Sequence, residues 1–180
     1  SDAPEEDFED TFLLYRQLES EAIKLLIPAL SQDENIDTQS FVAAIHLGLK
    51  KKFGGQLSHL KLSVQNQPIA GSSLRVQHVF IYDGVPGGTG YLKDLTRSDK
   101  TLLEVLELAC DALESCNCKN DPNLDGCYQC IKAYRFRYVN NQISRTIALK
   151  QLKRILDNKD AIEERSPDES LINPLLESEL

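Results

Sequence analysis

The 180-residue sequence predicts an α+β fold, with helices packed on a small antiparallel β-hairpin or sheet and a four-cysteine metal site. Three observations predict it. Apolar residues recur at helical spacing in four long stretches. The pattern switches to alternation at 57–64 and 74–82. Two closely spaced cysteine pairs follow the third long helical stretch. With 41% hydrophobic residues the chain can bury one core of its own, so one compact domain is expected.

In chain order, Phe8, Phe12, Leu18, Ile23, Leu26 and Leu30 suggest a first helix from about Glu9 to Leu30, its last turn disturbed by Pro28. Asp37 or Thr38 is expected to cap a second helix with Phe41, Val42, Ile45, Leu49 and Phe53 on its apolar face, stopped by Gly54-Gly55. The alternating runs Leu57 to Val64 and Leu74 to Tyr82 read as two strands of an antiparallel hairpin, joined across Asn66 to Ser73. A short helix at Tyr91 to Leu95 follows a glycine-rich turn. A longer one at Thr101 to Ser115 is broadly apolar, as expected of a largely buried helix. The last helix, Ser144 to Asn158, turns Ile147, Ala148, Leu152, Ile155 and Leu156 inward.

The net charge of −8 hides a strong asymmetry. Residues 1–39 hold 11 acids and 2 bases, residues 40–155 hold 9 acids and 16 bases, and residues 156–180 hold 8 acids and 2 bases. Residues 131–155 contain Lys132, Arg135, Arg137, Arg145, Lys150, Lys153 and Arg154 and no acid. Such a stretch can face phosphates. It can equally be a solvated helix face that neutralises the acidic flanks or the metal site. No run of 18 apolar residues occurs and the N-terminus is acidic, so a soluble, cytoplasmic protein with no membrane partner is expected. The absence of methionine suggests an excised piece of a longer polypeptide.

The cysteines carry the clearest chemistry. Cys116-x-Cys118 and Cys127-x-x-Cys130 lie eight residues apart, and each pair can supply two thiolates from one tight turn. Gly126 can take the backbone angles a sulfur-binding knuckle needs. Ligand type and spacing favour one zinc ion. An iron–sulfur cluster also accepts four cysteines, and disulfides would need an oxidising compartment that nothing here signals. Four thiolates leave no open position for water, so the metal is expected to hold the fold and not to catalyse. Cys110 reads as a buried free thiol, and His46, His59 and His78 lack ligand spacing.

Asp83, Pro86, Gly87, Gly88 and Gly90 form a strand-end loop. Its backbone amides could cradle a phosphate. It lacks the P-loop ending, however, and a sharp strand-to-helix turn with Asp83 bonding loop amides is the preferred reading. No catalytic triad or paired-carboxylate arrangement is evident, so no independent catalytic residue is assigned.

The segments Val79-Phe-Ile-Tyr-Asp83, Pro86-Gly-Gly-Thr-Gly-Tyr91, Cys116-Asn-Cys118 and Gly126-Cys-Tyr-Gln-Cys130, with the basic helix after them, resemble the MrfA-like zinc-binding domain. That module is found at the C-terminus of certain DEAD/DEAH-box helicases and in helicase-associated phage-defence proteins. The resemblance covers about residues 40–156, leaving an acidic helical segment at 1–39 and an acidic tail at 157–180. It implies one structural zinc on Cys116, Cys118, Cys127 and Cys130, in a non-catalytic accessory domain of an ATP-dependent DNA helicase or defence or repair protein. It also implies RecA-like helicase domains, of the parent chain or of a partner, as its neighbours. DNA contact would fall to Arg135, Arg137, Arg145, Lys150, Lys153 and Arg154. The alternatives are a protein-interaction module docking a partner subunit and, less favoured, an enzyme using Asp83 on a nucleotide.

Overall fold

The computed structural model describes residues 17, 19–26, 34–54, 57–68 and 75–158. The element order is β1 (Ala22–Leu26), α1 (Glu34–Phe53), β2 (Leu60–Pro68), β3 (Arg75–Asp83), α2 (Tyr91–Thr96), α3 (Asp99–Ser115) and α4 (Arg145–Asp157). Three short 3-10 turns, Asn117–Asn120, Tyr134–Phe136 and Asn140–Gln142, lie between α3 and α4. This is the expected α+β class, with an antiparallel sheet of three strands in the order β1-β3-β2.

The third strand corrects the sequence reading. Ala22–Leu26 is not helical; it pairs with β3, placing Ile23 opposite Ile81 and Leu25 opposite Val79. Along it Ile23 and Leu25 are half-buried while Ala22, Lys24 and Leu26 are exposed, the period of two that a half-buried strand requires. Without β1, the donors and acceptors along one side of β3 would have no strand partner. Residues 17 and 19–21 are not helical either; residues 9–16, 18 and 27–30 of the expected helix, the connection at 69–74, Gly55 and the tail beyond 158 lie outside the described residues.

On the other side of β3, Leu62 faces Ile81 and Val64 faces Val79. The inner face of the sheet is therefore built from Ile23, Leu25, Leu60, Leu62, Val64, Val79 and Ile81, all packed into the core. β2 starts later than the alternation suggested, because Leu57 is already buried in the preceding turn, where its carbonyl accepts from the Leu60 amide (3.1 Å).

α1 is the central helix. Phe41 to Ile45, Leu47 and Leu49 are all buried, more than one apolar face, because α3 and α4 both pack on it. Its start is also corrected: Asp37 and Thr38 are not caps but lie within the helix, both buried. The Thr38 hydroxyl donates to Gln77 on β3, and the Asp37 carbonyl accepts from Gln151 Nε2 on α4 (3.0 Å), so partners distant in sequence extend the helix to Glu34. Gly48 marks where α1 crosses α3: a Cβ there would lie 2.2 Å from the Val105 carbonyl oxygen. Fully buried Val105, Ala109 and Leu113 on α3, and Ala148 and Leu152 on α4, complete this layer. Each such Val or Leu contributes about 1.5–3 kcal/mol by leaving water. Among the described residues no helix is long and apolar enough to cross a membrane.

Candidate metal centre

The metal centre sits between the end of α3 and the start of α4. After Ser115 the chain leaves the helix at Cys116, whose carbonyl accepts from Lys119 N (3.1 Å), while the Cys118 carbonyl accepts from Asp121 N (3.3 Å). That tight turn brings the two sulfurs within 3.4 Å, which is how a one-residue gap still presents both to one centre. In the second knuckle the Cys127 carbonyl accepts from Cys130 N (3.2 Å) and Lys132 N (3.0 Å), and the sulfurs lie 3.7 Å apart. Gly126 precedes it at φ 102°, and a Cβ there would come within 2.7 Å of Ile131 Cγ2. Only glycine takes that turn without strain.

The pairs then close on each other. Cys116 and Cys127 sulfurs are 3.5 Å apart, Cys118 and Cys130 sulfurs 3.7 Å, and all four lie within 4.8 Å of one another. A tetrahedron with zinc–sulfur bonds of about 2.3 Å has edges of about 3.8 Å. The cluster is therefore positioned for one zinc ion. A multi-iron cluster bonds its thiolates to different irons and needs them further apart. All five cysteines are free thiols, and Cys110 lies outside the cluster, buried on α3.

The electrostatics suit a cation. Burial opposes ionisation of Cys116, but the Cys118 amide and the thiols of Cys118, Cys127 and Cys130 outweigh it and bring the Cys116 thiol down to about 7. Burial pushes the Cys118 and Cys130 thiols up. A bound metal supplies the charge that lets all four ionise.

Asp125 anchors this loop to α4. Its carboxylate accepts from the Ser144 hydroxyl (2.5 Å), the Thr146 amide (2.8 Å) and the Thr146 hydroxyl (3.0 Å). Burial would raise its pKa, but these bonds dominate and hold it below the ordinary carboxylate value. Ser144 caps α4 by accepting from Ile147 N (3.0 Å), and its own amide donates to Ser40 on α1 (2.9 Å). Arg145 Nε donates to the Leu113 carbonyl at the end of α3 (2.8 Å). The knuckles are thus held by all three long helices.

The structure spreads the other sequence-marked residues over two regions. Arg135 and Arg137 are exposed on the turns after Cys130, whereas Arg145 opens α4 and Lys150, Lys153 and Arg154 lie on its exposed face. Lys153 pairs with Glu114 on α3 (2.5 Å). Arg137 is held between the rings of Tyr134 and Tyr138, 4.8 and 4.5 Å from their centroids, and donates to both hydroxyls. The loop of Asp83, Pro86, Gly87, Gly88 and Gly90 starts at the end of β3 and leads into α2. There Asp83 is fully buried and accepts from the Val85 amide (2.9 Å), the Thr89 amide (2.7 Å) and the Thr89 hydroxyl. Amides of Gly84, Gly87 and Gly88 donate to backbone carbonyls. Gly88 closes the turn on Val85, while Gly84 and Gly87 tie it to the His59 and Glu19 carbonyls (2.8 and 2.9 Å), so all three amides are already engaged.

A cleft beside the second knuckle has almost no signature in the sequence. His46, Lys50 and Lys51 of α1 face Tyr128, Gln129 and Ala133 across about 270 Å³ of space. His46 packs edge-on against Phe136 (5.5 Å), and burial, then Arg135 and Lys50, lower its pKa to about 4, so it is neutral near pH 7. The only trace in the sequence is the triplet Lys50-Lys51-Lys52 at a helix end.

No curated protein matches the chain significantly. A crystal structure of the DUF1998 helicase MrfA bound to DNA aligns with 67% of this chain and 16% of its own length, at 19% identity and a TM-score of 0.42. Residues 41–131, which contain both cysteine pairs and the strand-end glycine loop, match the family described as the MrfA Zn-binding domain. The chain belongs to the MrfA Zn-binding domain family.

Proposed function

We propose that this chain is a non-catalytic accessory domain of an ATP-dependent DNA helicase or of a helicase-associated defence or repair protein. Its zinc is held by Cys116, Cys118, Cys127 and Cys130 and fixes the shape of the domain. The observation that carries this reading is the four-sulfur cage, within 4.8 Å, inside a sequence of this family. With four thiolate ligands the zinc keeps no open position, so it contributes rigidity. ATP hydrolysis belongs to RecA-like domains, of a longer parent or of a partner.

In this reading the base-rich surface after Cys130 guides DNA by binding its phosphates. Its support is the exposure of Arg135 and Arg137 on the turns after Cys130 and of Lys150, Lys153 and Arg154 along α4, where Lys153 also pairs with Glu114. Arg145 opens α4 and is also tied to the Leu113 carbonyl at the end of α3. The test is salt-dependent DNA binding by protein carrying Lys150→Glu and Arg154→Glu. Weaker binding with a shallower dependence on salt is expected, by about 1 in slope for each phosphate no longer neutralised. Unchanged affinity and slope would sink the phosphate role.

A further inference from the structure

We infer that the face formed by Tyr128, Tyr134 and Tyr138 with Lys50, Lys51 and Arg135 is a binding platform for single-stranded nucleic acid, separate from the outer face of α4. The inference rests on the DNA-binding reading above and names the form of strand recognised at this place. Three tyrosines within eleven residues are 72%, 72% and 81% exposed, a large apolar area to leave in water at the edge of a metal-fixed loop. Tyr128 is on the second knuckle, where the backbone is held by the Cys127 carbonyl, and it walls the cleft opposite Lys50 and Lys51. Ala133 closes the same cleft, so the turn bearing Tyr134 and Tyr138 begins at its edge. Arg135 lies over the Phe136 ring (5.7 Å), which in turn packs on His46 of the cleft wall (5.5 Å).

The chemistry of this face fits a strand whose bases are free. A ring lying in the open offers stacking to any base, and neighbouring ammonium and guanidinium groups meet the backbone phosphates. The Arg137 guanidinium between Tyr134 and Tyr138 orders those rings before anything binds. A cleft of about 270 Å³ is the size of one nucleotide unit and not of a duplex. Duplex DNA keeps its bases stacked inside and presents chiefly phosphates to such a surface. The platform therefore favours single strands, whereas bases on α4 would serve either form.

The experiment is fluorescence anisotropy of the full chain with labelled oligothymidine and with a duplex of equal length, at several salt concentrations. Circular dichroism and zinc content serve as folding controls. Replacing Tyr128, Tyr134 and Tyr138 singly by Ala should cost about tenfold in single-strand affinity at each position that stacks a base. Duplex affinity should change less than about twofold. Tyr→Phe at the same positions keeps the ring and should restore most of the single-strand affinity. Lys50→Glu with Lys51→Glu should lower the single-strand salt slope by about 1.4. Single-strand affinity unmoved by all three Tyr→Ala variants would overturn the inference and leave the α4 reading standing. Equal losses on single strands and duplex would overturn it too, as would a purified helicase domain binding through the tyrosines while oligothymidine does not. No binding of either nucleic acid by the unaltered chain would remove both readings together.

Discussion

Replacing Asp125 by Ala tests how the metal loop and the last helix are joined. The carboxylate serves three donors on Ser144 and Thr146, and it stands at the N-terminus of α4. The residue is exposed, so both hydroxyls can turn to water when it is removed. What disappears is the bond to the Thr146 amide, worth about 1 kcal/mol as for other helix-capping side chains, and the negative charge at the helix start, worth roughly 0.3–1 kcal/mol. Asp125→Ala should therefore destabilise the domain by about 1.5 kcal/mol, a fall in melting temperature of roughly 3–6 °C for a chain of this length. Asp125→Asn keeps an acceptor and should cost about half as much. The folded pKa of Asp125 is lowered, so its stabilisation is fully present above the unfolded value of about 3.9 and is lost only as pH falls through the lower folded value. The cost should then be the same at about pH 6 and about pH 8. Thermal and urea unfolding of the zinc-loaded protein measure it. A loss within about 0.5 kcal/mol would refute the idea that Asp125 fixes the loop to α4.

Two other substitutions probe the scaffold. Gly48→Ala places a methyl 2.2 Å from the Val105 carbonyl oxygen, which α1 and α3 can relieve only by separating; the expected loss is about 3 kcal/mol by urea titration, and an unchanged midpoint would contradict that crossing. Asp83→Ala removes a buried carboxylate that serves the Val85 and Thr89 amides of an otherwise largely exposed turn and should cost about 1–3 kcal/mol, with Asp83→Asn milder; a neutral result would show that the turn is held by other bonds.

What the sequence made legible was local. The two cysteine pairs could be read because each is closed by its own few residues, and the Gly126 knuckle takes the positive φ its position suggested. α3 and α4 begin and end within about two residues of the expected Thr101 to Ser115 and Ser144 to Asn158. What stayed hidden depends on partners distant in the chain. Ile23 and Leu25 lie in a longer apolar run that also fits a helix, and only pairing with Val79 and Ile81, more than 50 residues away, selects the strand. Asp37 and Thr38 look like caps until Gln151 and Gln77 are brought beside them. The same holds for function. The count of bases after Cys130 was visible, but not that Lys153 faces Glu114 or that Arg145 bonds Leu113. Nor could spacing reveal that Lys50 and Lys51 meet Tyr128 across a cleft, because α1 and the knuckle are adjacent only in the folded chain.

The most direct test of the central claim is the metal itself. Elemental analysis of the chain, purified without added metal and dialysed against metal-free buffer, should give about one zinc per polypeptide, with iron and other transition metals at trace level. Zinc should be released on acidification, because the thiolates must be deprotonated to bind it. Iron in place of zinc, or a folded chain with no metal at all, would contradict the assignment of Cys116, Cys118, Cys127 and Cys130 as a structural zinc centre.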